Sequence, residues 1–190
     1  MRWVVDDDAL VALTAEAVRG DRAAAGALLA HFRPAVVRYC RARLGRVAGT
    51  YDMADDVAQE VCLAVYTALP RYRDEGRPFA AFVFGVAAHK MADAWRAHAR
   101  IPIPHQEIPD DVDPQPGPEQ LAIAGDQVRR ARELLGQLPQ QSREVVLMRV
   151  VAGLSAEETG AALGMSPGAV RVTQHRALRR LRGLAAEVVG

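Results

Sequence analysis

A chain of 190 residues that is half apolar, one quarter charged and only 5% aromatic has the composition of a helical globular protein, not of a β-rich one. No apolar run near the N-terminus approaches the length of a membrane span, and no signal-peptide pattern accompanies one, so we expect a cytoplasmic protein. The net charge of +1 conceals an uneven distribution, because residues 101–126 carry six acids and no base, whereas residues 21–100 and 127–190 both carry more bases than acids. The sequence therefore predicts two basic units on either side of an acidic connector.

The connector also contains six of the eleven prolines. Proline removes a backbone donor and the acids repel one another, so this segment is expected to be extended and solvated. We predict an all-α fold in which two small helical domains, residues 21–100 and 126–190, are joined by a flexible acidic, proline-rich linker at residues 101–125. Residues 1–20 form an N-terminal extension of unassigned role.

In the N-terminal domain, apolar residues recur at a spacing of three to four. This periodicity predicts amphipathic helices over residues 27–44 and 53–68, a charged loop over 71–78 and a further helix over 79–98. The apolar and acidic start of the chain, residues 3–13, is consistent with one more short helix.

The C-terminal domain has the signals of a helix-turn-helix. Helices are predicted over residues 126–138 and 140–152. Ser155 and Glu158 then form the capping box of a third helix, which ends at Gly164. Within that helix Gly160 would allow a close approach of neighbouring backbone, at a modest cost in helix propensity.

The last helix, which Ser166 caps, carries two contrasting faces. Val170, Ala177 and Leu181 form an apolar face, whereas the other side is rich in arginine. The arginine guanidinium can grip phosphate or the edge of guanine, so this helix is predicted to bind DNA, with Arg171 and Gln174 as the base readers. The predicted DNA-contacting residues are Ser166, Arg171, Gln174, His175, Arg176 and Arg179.

The run L-P-Q-Q-S-R-E-V-V-L-M-R from Leu138, followed by G-L-S-A-E-E and by L-G-M-S-P-G-A-V-R, resembles region 4 of the extracytoplasmic-function (ECF) sigma factors. In that family region 4 binds the minus-35 promoter element. The stretch V-R-V-T-Q-H-R-A-L is also similar to an actinobacterial sigma D-like subgroup.

The stretch from Asp52 to Tyr66 resembles the region 2 helix with which this family binds the clamp of RNA polymerase. The resemblance implies that the exposed polar side chains of this helix contact the polymerase: Asp55, Asp56, Gln59 and Glu60. From the residues alone, an ordinary solvated acidic face is the alternative. Cys62 stands where the family often has an aromatic residue, and Tyr66 stands where tryptophan is common.

By the same resemblance, the loop 71–78 holds a flipped base of the minus-10 element and the helix from Phe79 to Arg96 contacts the melted strand. The implied minus-10 residues are Arg71, Tyr72, Arg73, Asp74, His89, Lys90, Trp95 and Arg96. For Phe82, Phe84 and Trp95 a place in the hydrophobic core is the competing interpretation.

The resemblance implies a sigma factor that binds core RNA polymerase (the beta-prime clamp and the beta flap) and promoter DNA, inserts into no membrane and is no enzyme. We expect no cofactor and no metal site, and the family makes an anti-sigma partner plausible. The linker is either a simple tether or a segment that enters the polymerase cleft. Two rival functions are a stand-alone LuxR-type regulator and a helical enzyme with a metal on His89, Asp93 and His98.

Overall fold

The computed structural model describes residues 7–44, 50–98 and 129–189, and all regular secondary structure within these ranges is helical. Eight helices are defined by these bounds: α1 Asp7–Val18, α2 Arg22–Leu44, α3 Thr50–Ala68, α4 Phe79–His98, α5 129–136, α6 Gln140–Val146, α7 Ala156–Leu163 and α8 Pro167–Val189. A short 3₁₀ turn, Leu69–Arg71, follows α3, and α6 continues as a π-helical segment, Leu147–Ala152. No helix in these ranges is long and apolar enough to cross a membrane. The predicted linker lies outside the described residues.

Helix boundaries follow the local sequence signals. The α4 helix has the predicted bounds, and the Ser155 hydroxyl accepts from the Glu158 N–H at 3.0 Å while the Glu158 carboxylate accepts from the Ser155 N–H at 2.6 Å. Gly164 adopts a left-handed φ of 67°, a conformation that glycine takes without steric cost, and so ends α7. The predicted capping box and helix end are both confirmed.

The prediction for the first helix was wrong at its C-terminal end. The α1 helix runs to Val18 and not to residue 13, because Thr14 and Ala17 continue its buried stripe. Residues 3–6, where this helix was predicted to start, lie outside the described residues.

Helices α1 to α4 form one continuous core. Leu28, Val36, Val61 and Met91 are fully buried within it, and the Tyr39 ring packs edge-to-face on Phe84 at 5.7 Å between centroids. This ring contact settles the role of Phe84, which is a core residue and not a surface one.

The two cysteines lie in different environments. Cys40 is buried on α2, where burial raises the pKa of its thiol to about 12. Cys62 is only half-buried on α3.

Helices α6 to α8 are held together by two small clusters of their own. One contains Leu138, Val146 and Ala177, and the other contains Val145, Ala156 and Val170. Val170 and Ala177 therefore turn one face of α8 inward, as the sequence predicted.

The π-helical segment connects the two halves of the chain. Leu147, Met148, Ala152 and Leu154 are buried in the same hydrophobic cluster as the residues of α2 and α4. The segment packs on α2, and α7 packs on α4. The two halves thus share part of one core, a feature that the sequence did not predict.

Candidate nucleic-acid and polymerase interfaces

The outward face of α8 is basic and open to solvent. Arg171, His175, Arg176 and Arg179 are all exposed. At the start of the helix the exposed Ser166 hydroxyl accepts a hydrogen bond from the Ala169 N–H at 3.2 Å. The predicted DNA-facing residues therefore lie on one accessible surface, the basic face of α8.

Gln174 is the half-buried member of the predicted set, and Arg149 fixes its orientation. The Arg149 Nε donates to the Gln174 Oε1 at 2.9 Å, while another nitrogen of the same guanidinium donates to the Leu154 carbonyl. Because arginine can only donate, the amide oxygen of Gln174 must face Arg149. Sequence reasoning missed Arg149, since its partner is 25 residues away.

Arg171 forms an exposed ion pair with Glu157 of α7, with 2.5 Å between the Arg171 nitrogen and the Glu157 Oε1. A hydrogen bond to its own backbone is the main cause that lowers the pKa of the Glu157 carboxyl, and the nearby Arg171 charge lowers this pKa further. An exposed pair of this kind contributes little to stability, so a phosphate or a base edge can replace Glu157 at small cost.

The four predicted polymerase-contacting residues of α3, namely Asp55, Asp56, Gln59 and Glu60, are all exposed. Arg41 of α2 donates two hydrogen bonds to Asp55, at 2.9 and 2.7 Å, and these bonds lower the pKa of the Asp55 carboxyl. Glu60 accepts from Lys90 of α4 at 3.2 Å. The structure thus joins one residue predicted for polymerase to one predicted for the minus-10 strand.

Two large apolar side chains extend this acidic surface, and the sequence prediction missed both of them. Leu63 is 63% exposed and Tyr66 is 44% exposed. Leu63 lies three and four positions after Glu60 and Gln59, which places these residues on the same face of α3. Exposed apolar residues beside acids are typical of a protein contact, and their position off the buried stripe is the signal that could have identified them.

The loop between α3 and α4 borders a cleft of about 360 Å³. The Tyr72 ring lies against Phe79 and Phe82, with centroids 5.0 and 5.1 Å apart, and burial raises the pKa of its hydroxyl. The lining residues are Arg71, Tyr72, Arg73, Glu75, Arg77, Pro78, Ala81, Phe82 and Ala161. Aromatic rings and guanidinium groups around one cleft can stack on an unpaired base and bind its phosphate.

The other residues predicted to contact the minus-10 strand lie outside the cleft, in two places. Asp74 does not line the cleft; its carboxylate instead accepts from the Gly76 N–H at 2.8 Å and shapes the loop. His89, Lys90, Trp95 and Arg96 lie along α4 and are not part of the cleft either. Trp95 is 37% exposed, which leaves its ring available to a ligand.

Asp93 organises the polar part of α4 that was predicted to meet DNA. The His89 Nε2 lies 3.5 Å from the Asp93 Oδ2, and Arg96 also donates to this carboxylate. These contacts lower the pKa of the Asp93 carboxyl, and the hydrogen bond from Arg96 has the largest effect. Asp93 therefore holds two of the four candidate DNA-contacting side chains along one edge of the helix.

Comparison with known proteins assigns a class to each half. Residues 28–101 match the family model "Sigma-70 region 2", and residues 129–181 match "Sigma-70, region 4". The two matches occur in the order that the motifs predicted, which defines a sigma-70-type transcription factor.

The full-length relatives narrow this class. The ECF RNA polymerase sigma factor SigD of Mycobacterium tuberculosis is 59% identical over 91% of this chain and 82% of its own length. The ECF RNA polymerase sigma factor ShbA of Streptomyces griseus is 52% identical over 95% of this chain and 98% of its own length. The chain belongs to the ECF sigma factors, and within them to the SigD-like group.

A solved structure agrees with this assignment. The structure of CnrH in complex with the cytosolic domain of CnrY covers 96% of this chain and 99% of that chain, with a TM-score of 0.69 and 28% identity. Because 96% of the chain is covered, the likeness includes both halves of the protein.

The two alternative functions were a stand-alone LuxR-type regulator and a helical metal enzyme. The LuxR-type alternative finds no support, since region 2 accounts for residues 28–101 and the relatives are sigma factors over most of the chain. For the metal enzyme, no group of three or more candidate ligands occurs among the described residues, and the side chain of His98 lies outside them. The relatives are transcription factors rather than enzymes.

Proposed function

We propose which residues contact which partner in this ECF sigma factor, which binds core RNA polymerase and directs promoter-specific initiation. Separate surfaces bind the minus-35 duplex, the minus-10 strand and the polymerase. The observation that carries the proposal is the two-faced α8 helix, in which Val170 and Ala177 are buried while the arginines on the other side are exposed. The chain performs no covalent chemistry of its own. It acts where the polymerase is, which we infer to be the cytoplasm.

The basic face of α8 binds the minus-35 duplex. Arg171, near the start of the helix, exchanges Glu157 for a base edge or a phosphate, while Arg176 and Arg179 bind the backbone. Since the Gln174 oxygen faces Arg149, its amide presents N–H donors outward. Such donors suit the acceptor edge of guanine or thymine better than adenine, whose two-bond pairing also needs the amide oxygen.

The cleft beside Tyr72 accepts an unstacked base of the minus-10 strand. Extrusion of a base costs a few kcal/mol, and only a base that fits the cleft recovers that energy. The polar side of α4, with Lys90, Trp95 and Arg96, guides the neighbouring nucleotides by charge and stacking.

The acidic surface of α3 binds the polymerase. Asp55, Asp56 and Glu60 would meet a basic partner, and the exposed Leu63 and Tyr66 would supply the apolar contact beside them. Charged groups at a rim mainly raise the association rate, whereas the apolar side chains slow dissociation.

Run-off transcription tests this function. The protein and core polymerase are given a library of promoter DNA, and we expect initiation on a subset with related minus-35 and minus-10 sequences. Asp56→Ala should lower polymerase affinity about two- to fivefold, as loss of an exposed charge would. Glu16→Ala on α1 is the matched control, because it removes an exposed acid from a different helix. Absence of specific initiation on every template would refute the proposal.

A further inference from the structure

One apolar side chain lies in the middle of the basic face of α8. Of the large apolar side chains that the structure describes in this helix, only Val172 is exposed, at 50%. The exposed residues His175, Arg176 and Arg179 follow it at three, four and seven positions, a spacing that places all four on one side of the helix. Val172 therefore belongs to the surface that is proposed to meet the minus-35 duplex.

The core of the helix-turn-helix does not use Val172. The buried residues Val170 and Ala177 turn the opposite side of α8 inward. At about 100° for each residue, Val172 lies roughly 160° from Val170 and about 140° from Ala177 around the helix axis. A lone exposed valine is common on protein surfaces, so its meaning depends on the residues that surround it.

The charges around Val172 indicate the kind of partner. Between Pro167 and Ala186 the sequence has five arginines and no acidic residue. This concentration of positive charge favours a polyanion such as DNA. An apolar partner for the valine must then lie within DNA. In the major groove that group is the C5 methyl of thymine, because the other three bases present hydrogen-bond donors and acceptors there.

The place of Val172 along the helix allows a close approach to base edges. The residue is in the second turn of α8, and the N-terminal residues of a recognition helix are those that reach the bases. One turn earlier on the same side, the exposed residues Gly168 and Ala169 have almost no side chain. A Cβ atom at Gly168 would meet nothing within 4 Å. The backbone of this turn can therefore come near the DNA, as the short valine side chain requires.

We propose that Val172 is a specificity-determining residue that contacts the C5 methyl group of a thymine in the minus-35 element. The arginines around it bind phosphates and hold the helix in the groove, while the valine distinguishes thymine from cytosine, which lacks this methyl group. Burial of one methyl group corresponds to about a fourfold change in affinity. This inference rests on the proposed function of α8 and adds the base that one position of the helix reads.

Replacement of thymine by deoxyuridine tests the contact, because uracil pairs as thymine does and lacks only the methyl group. A promoter that the wild type uses in run-off transcription is rebuilt with each minus-35 thymine, on either strand, changed singly to deoxyuridine. Competition binding with the holoenzyme, assembled from core polymerase and the full chain, gives a thymine-to-uracil affinity ratio at each position. We expect the largest ratio, about fourfold, at a single thymine.

Three variants identify the side chain that reads this methyl group. Val172→Ala removes both methyl groups of the valine, so the ratio at that thymine should fall close to one while the ratios at other positions stay unchanged. Val172→Thr keeps one methyl group and the branched shape and should retain part of the ratio. Val150→Ala is the matched control, because it shortens a valine that is 56% exposed outside α8, and it should retain the full ratio.

Each outcome has a definite meaning. A wild type that binds every uracil template as tightly as the thymine parent, or a Val172→Ala variant that keeps the full ratio, would overturn the inference and leave the minus-35 function of α8 intact. An equal loss of the ratio in Val150→Ala would overturn it as well. A Val172→Ala variant that loses affinity for core polymerase, with its ratio unchanged, would assign the residue to a protein contact. If the holoenzyme initiates specifically on no template, the proposed function fails and the thymine contact fails with it.

Discussion

The two halves of the molecule differ in how they are stabilised. Helices α1 to α4 supply most of one large core, with Leu28, Val61 and Phe84 completely buried. Helices α6 to α8 have two small clusters, and their largest apolar residues, such as Met148, are buried against the other half. The difference teaches that the N-terminal core is built mostly within one half, whereas the C-terminal half depends on the other half to bury several of its large apolar side chains.

The largest expected effect lies in the N-terminal core. Phe84→Ala removes a fully buried ring and its edge-to-face contact with Tyr39, which should lower the free energy of unfolding by about 3–5 kcal/mol. Urea denaturation followed by circular dichroism measures this. Tyr66→Ala, at an exposed aromatic residue, is the control, and an equal loss for both variants would contradict the account of the core.

A smaller effect is expected inside the helix-turn-helix. A Cβ atom at Gly160 would lie 2.5 Å from the Met165 carbonyl oxygen, so Gly160→Ala forces the turn apart. We expect a loss of about 1–3 kcal/mol, despite the better helix propensity of alanine. Thermal unfolding gives the comparison with Gly168→Ala, where no atom lies within 4 Å; a Gly160→Ala variant as stable as the wild type would show that the turn is not tightly packed.

The smallest effect should have the opposite sign. Thr159 is completely buried on α7, and its hydroxyl has no hydrogen-bond partner among the described residues. Thr159→Val replaces this hydroxyl with a methyl group of similar size and should stabilise the chain by about 1 kcal/mol. A measured loss of stability would mean that the hydroxyl has a partner in solution.

Local signals in the sequence predicted most of the helices. The bounds of α4, the Ser155 capping box and the end of α7 at Gly164 depend on residues a few positions apart, so their chemistry can be recognised without the fold. The π-helical form of Leu147–Ala152 was not predicted, because apolar periodicity does not distinguish it from an α-helix.

The candidate sites were predictable only in part, for the same reason. The arginine face of α8 follows from helical spacing, and the acidic face of α3 does as well. The contacts of Glu144 with Tyr39 and Arg43, and of Arg149 with Gln174, join residues that are far apart in the chain. Such pairs depend on how helices pack, which a single sequence does not specify. The assignment of individual residues to polymerase or DNA stays a prediction.

The central claim is that two separate surfaces of the protein recognise two separate promoter elements. Transcription from two promoter libraries tests this claim most directly. One library is randomised at the minus-35 element and the other at the minus-10 element. With core polymerase, Arg171→Ala should reduce sequence preference at the minus-35 element by about tenfold and leave the minus-10 preference intact. Tyr72→Ala should reduce sequence preference at the minus-10 element and leave the minus-35 preference intact. If either variant weakens both preferences equally, or if neither changes them, the account of a bipartite promoter reader is contradicted.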